Sequence, residues 1–200
     1  MERKQIDLAE SPIRLIDGWI ERAKKEEDVL FKFVGYWIAF TQMYNQNNDR
    51  DAVSEITLIK EFCSRNISII YEAIDFDAEY MRIFKERPIL RWTDMTDRYD
   101  WRGGRDYITE RIMTKFSHYS GKPYFERNCK EAADYYVKIC NPRTRPADRA
   151  EALIMSIYRV RSNLFHGKKD PDTKRNYELI LSSAVIMERC LSALQTQGFR

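Results

Sequence analysis

Two hundred residues, 44% apolar, 32% charged and 13% aromatic, make an ordinary globular composition and exclude a disordered or fibrous chain. Uninterrupted apolar runs such as GYWIAF fall far short of the roughly 20 residues that a membrane span needs. The charged start MERKQIDLAE leads into no apolar signal segment, so the expectation is a cytoplasmic protein with no membrane partner. A formal net charge of +3 decides little by itself. Its distribution decides more, because residues 141–175 hold nine Lys/Arg against four Asp/Glu.

Gly and Pro are scarce, at 7 and 6 residues, and helical periodicity runs through most of the chain. SPIRLIDGWIERAKKEE places Ser11 as N-cap and Pro12 at the first helical position, with Ile13, Ile16, Trp19 and Ile20 on one stripe. DVLFKFVGYWIAFTQMYNQ is apolar on most sides, as a central bundle helix would be, with Trp37, Phe40 and Tyr44 as core aromatics. After the break NNDRD, residues 52–74 repeat Ile56, Ile59, Phe62/Cys63, Ile67, Ile70 and Ile74, which predicts a third helix. DAEYMRIFKE predicts a short fourth, stopped near Pro88.

Residues 89–104, ILRWTDMTDRYDWRGG, have no clean period and read as a loop. Their interleaved aromatics and arginines (Trp92, Tyr99 and Trp101 with Arg91, Arg98, Arg102 and Arg105) suit either packing onto the bundle or stacking of bases. Helices are expected over 105–116 and 123–140, with His118 on the surface between them. Residues 147–166 carry Ala150, Leu153, Ile154, Ile157, Val160, Leu164 and Phe165 at helical spacing; Gly167 supplies the stop and Pro171 lies just beyond. A closing amphipathic helix follows over 172–198. The fold class is therefore all-α, an antiparallel up-and-down bundle of residues 1–200 with extra helices and a loop inserted in the middle.

Cys63, Cys129, Cys140 and Cys190 form no C-x-x-C pair, and neither histidine lies near one of them in sequence. They read as reduced core residues, and no metal site is expected. No phosphate-loop or dinucleotide fingerprint occurs either, so no cofactor is expected.

The chemistry-bearing stretch is YRVRSNLFHGKK, residues 158–169. At roughly 100° per residue, Arg159, Ser162, Asn163 and His166 share one stripe, Leu164 and Phe165 turn to the core, and Arg161 stands about 140° from His166. Nearby cations disfavour a protonated histidine, and their presence makes sense if an anion sits among them. A histidine that only complements the helix dipole is the plainer alternative.

RSNLFHG, with Arg161 and His166 separated by four residues, resembles the R-x-x-x-x-H signature of the HEPN superfamily, all-α domains of prokaryotic toxins, defence systems and RNA-processing enzymes. FVGYWIAFTQMYN is similar to the aromatic-rich helix of the bacterial branch, and the likeness covers residues 28–50 and 147–197 but not 51–146. Ser162 stands where that branch most often has Asn, Asp or His, and Thr41 where Asn is common.

The resemblance implies metal-independent cleavage of single-stranded RNA, in a toxin or defence effector with an antitoxin or defence-system partner. His166, Arg161 and Asn163 are then the catalytic set, with His166 as general acid or base and Arg161 holding phosphoryl oxygens. Arg159, Ser162, Lys168 and Lys169 would bind the RNA. It also implies a homodimer with facing motifs, and the alternative of a non-catalytic RNA- or protein-binding module of the same fold. Some relatives are controlled by nucleotide transfer to a Tyr two residues after the motif histidine; Lys168 in that place argues against such control here.

Overall fold

In the computed structural model, which describes residues 12–46, 53–91, 101–122, 124–167 and 170–199, every regular element among the described residues is helical. Pro12–Lys25 (α1) turns its apolar stripe inward through Ile16, Ile20 and Ala23. Ile13 keeps the phase of that stripe but is 60% exposed in the first turn. Ser11 lies outside the described residues. Asp28 caps Val29–Asn45 (α2) by accepting the Phe31 N–H at 3.0 Å. The three-residue link between α1 and α2 makes them an antiparallel hairpin. Trp37, Phe40 and Tyr44 are all buried, as their spacing predicts.

The third predicted helix is divided. Glu55–Arg65 (α3) ends at Asn66, whose side-chain amide and backbone N–H both donate to the Phe62 carbonyl, and Ile67–Ala73 (α4) starts anew. An Asn offers the backbone a local alternative to the helical ladder, which is why the break falls there while the apolar period continues across it. Arg82–Glu86 (α5) is preceded by a 3₁₀ turn, Glu79–Met81. Arg105–Lys115 (α6) and Phe125–Cys140 (α7) flank a second 3₁₀ turn, Ser117–Tyr119. Pro146–Phe165 (α8) has proline in its first turn, and Lys174–Gln197 (α9) closes the fold.

The main core joins α1 to α5, α8 and α9 around Trp37, Phe40, Phe62, Leu153, Ile157, Met187 and Leu191. A smaller one gathers Leu90, Trp101, Ile108, Ile112, Phe125 and Cys129 between α6 and α7. The opposite face of α7 sends Tyr135 and Ile139 into the main core. Within the bundle α4 packs on both α8 and α9, which touch each other less. The four cysteines are free, and burial pushes the Cys190 thiol up to about 12. Among the described helices α9 alone has the length and apolarity to cross a membrane, and more than half of that stretch is buried in this core.

Candidate functional site at the end of the eighth helix

Two arginine-to-carbonyl bonds orient α8. Arg149 Nε donates to the Ile139 carbonyl at 3.0 Å, and Arg159 Nη1 donates to the Asn128 carbonyl at 3.4 Å. The start of α8 therefore lies by the end of α7, and the two helices run antiparallel.

The stripe expected to emerge as a polar cluster is instead mostly interior. Arg159 is 3% exposed, with Nη2 on Glu131 Oε2 at 2.8 Å and Nη1 also on the Ile89 carbonyl at 3.2 Å. Burial holds its pKa below the ordinary arginine value, with Tyr135 and Glu131 acting in the other direction. Asn163 is fully buried and donates Nδ2 to the Leu90 carbonyl at 2.7 Å, leaving Oδ1 without a partner. Ser162 is 2% exposed. The reason is the inserted region: α7 and residues 89–90 cover this side of α8, and a helix-phase argument made on α8 alone does not see them.

Arg161 and His166 remain accessible. The Arg161 side chain is 25% exposed and reaches away from α7 toward α2 and α3. Its Nη1 lies 3.3 Å from Glu55 Oε2, and its guanidinium carbon lies 5.8 Å from the Trp37 ring centre and 4.9 Å from that of Phe165. Arg161 Nε is buried without an acceptor. Phe165 was expected in the core; at 55% exposure it covers Arg161 from outside instead. His166 is the C-cap of α8, its N–H on the Ser162 carbonyl and its side chain exposed. Gly167, at φ +60, makes the left-handed stop. Lys168 and Lys169 lie outside the described residues, as do Trp92, Arg98 and Tyr99.

Two further residues belong to this site and carried no site signal in the sequence. Glu55 opens α3 behind Ser54, the N-cap, whose hydroxyl accepts the Thr57 N–H. Its Oε1 accepts the Tyr44 hydroxyl at 2.8 Å, while Oε2 takes Arg161. Ser54–Glu55 reads locally as a helix start and nothing more, and the arginine it meets lies 106 residues on. His118 is exposed in the second 3₁₀ turn, its ring 4.3 Å from that of Tyr119. Among the described residues no three His, Cys, Asp or Glu side chains group to hold a metal ion. Set against protein-family models, curated proteins and solved structures, the chain matches none.

Proposed function

We propose that the chain is a HEPN-like endoribonuclease that cleaves single-stranded RNA without a metal, as a toxin or defence effector. The observation supporting this reading most is the end of α8. There an exposed imidazole, His166, follows a partly exposed guanidinium, Arg161, in the R-x-x-x-x-H spacing. In such a reaction the RNA's 2′-OH attacks the adjacent phosphorus and the P–O5′ bond breaks. One group removes the 2′ proton, another supplies a proton to O5′, and the product ends are a 2′,3′-cyclic phosphate and a 5′-OH. Imidazoles suit both transfers, each worth about 10²–10⁴-fold, and a guanidinium fork suits the charge on the non-bridging oxygens. Asn163, with its amide on Leu90, supports the helix end and leaves the chemistry to its neighbours.

Arg161 and His166 stand about 140° apart around α8, so one copy offers its acid–base group and its phosphate clamp in different directions. A homodimer with the two helix ends facing each other supplies both groups to one phosphate. A second reading, a non-catalytic RNA- or protein-binding module, draws on a specific observation: Arg161 is already paired with Glu55, and Arg159, Ser162 and Asn163 are used inside the fold.

Purified protein incubated with mixed single-stranded RNAs separates the two. Cleavage that persists in EDTA and drops at least a hundredfold in H166A and in R161A, with the helical signal intact, is the expected result. An H166A variant as active as the unmodified chain, or activity lost on chelation, overturns the nuclease reading.

A further inference from the structure

Arg161 is held by contacts with three side chains from outside its own turn or beside it. The Trp37 and Phe165 rings both lie against the guanidinium, and Glu55 meets its Nη1 edge. Glu55 is itself held. Its second oxygen accepts the Tyr44 hydroxyl at 2.8 Å, and Tyr44 is 3% exposed on α2. Tyr44 lies 3.3 Å from Thr41 Oγ1, which donates to the Trp37 carbonyl at 2.9 Å. Burial raises the Tyr44 phenol well above its ordinary pKa, so it stays a hydrogen-bond donor to the carboxylate. The chain of contacts thus returns to the residue on which Arg161 rests.

A surface ion pair would have little reason for such support. Exposed pairs contribute little, since two long side chains lose rotamer freedom to form them. Here the carboxylate is pinned from behind by a buried phenol and sits at the start of a helix, where a negative charge is favoured. What this arrangement accomplishes is orientation: the Nη1 edge of the guanidinium is occupied, Nε is buried, and the plane in which Nη2 is presented is set.

We propose that Glu55 and Tyr44 are positioning residues for Arg161, setting the plane in which it meets a phosphate. The proposal rests on the nuclease reading of the same site. Neither residue touches the RNA. Each acts through Arg161, as outer carboxylates and phenols fix the groups that do the binding.

Steady-state cleavage of a short single-stranded RNA by the full chain tests this, with thermal unfolding measured on every variant. E55A is expected to lower kcat about tenfold or more, the scale on which outer groups affect the ones they orient, with KM changed much less. E55Q, whose single carbonyl oxygen can still accept from Arg161 while its NH2 faces the Tyr44 oxygen, recovers part of that loss. Y44F lowers kcat in the same sense by a smaller factor. E55A combined with R161A is no slower than R161A alone, because both changes disable one clamp. E55A cleaving at the unmodified rate or faster overturns the proposal. So does a loss that adds in full to that of R161A, or one that follows the unfolding midpoint. An unmodified chain that cleaves no RNA overturns the nuclease reading and this inference with it; an active chain indifferent to E55A overturns the inference alone.

Discussion

Arg159 and Arg161 are two residues apart, so an α-helix points them about 200° apart, and here that angle separates an interior arginine from a site arginine. Arg159 satisfies two carbonyls and Glu131 in a place that is 3% exposed, whereas Arg161 keeps a quarter of its side chain in solvent. Arg159→Met should destabilise the fold by about 2–4 kcal/mol, because the Ile89 and Asn128 carbonyls lose their donor and Glu131 loses its buried partner. Urea unfolding monitored by circular dichroism reads this directly. The same change at Arg127, which is 72% exposed, should stay within about 0.5 kcal/mol. Equal effects at the two positions would mean that Arg159 is solvated and available to RNA. Local sequence does not distinguish the two arginines of RVR, because burial of a cation depends on which carbonyls another segment brings to it.

At the scale of elements, periodicity located the helices and failed where a neighbour or a single side chain intervened. The split at Asn66 belongs to this kind: the apolar stripe from Ile56 to Ile74 is continuous, but the amide of one residue closes on the Phe62 carbonyl. Ile13 and Phe165 keep the helical phase of a buried residue yet stand exposed at the two helix ends. The α1–α2 hairpin shows the reverse, a close approach that propensity alone reads as a weakness. A Cβ on Gly35 would stand 2.9 Å from the Ala23 Cβ, so this glycine is where the two helices touch. Replacing a helical glycine by alanine ordinarily stabilises by up to about 1 kcal/mol. G35A should instead lower stability by about 1–2 kcal/mol, since the helices must move apart and the core beneath them loosens. A higher unfolding midpoint in G35A would show that the hairpin has slack.

For the whole molecule, the proposed homodimer rests on the surface at the end of α8. Residues 51–146, outside the likeness in sequence, are integral to the packing: α4 supports α8 and α9, and α7 covers the side of α8 that carries Arg159 and Asn163. The exposed end of α8, with Phe165 beside Arg161 and His166 as cap, is left outside that cover. Under the proposed composite site, light scattering at micromolar concentration should give about twice the chain mass of 24.0 kDa. F165E should return the protein toward that single-chain mass while leaving its circular dichroism unchanged. A monomer that cleaves RNA at full rate would remove the need for two facing motifs.

The all-helical class, the positions of most helices and the buried Trp37–Phe40–Tyr44 face were legible in the sequence, since each depends on spacing along one segment. The stop at Gly167 was legible too, because a left-handed residue after a helix favours glycine. The motif spacing of Arg161 and His166 was equally plain, while their standing as the two accessible members of it was not. Tertiary structure alone decided that Arg159, Ser162 and Asn163 face inward, and that Arg161 meets Glu55 and, through it, Tyr44. Helical phase gives a direction around one axis. What waits in that direction, solvent or a carbonyl from a segment 70 residues away, is settled only when the helices pack.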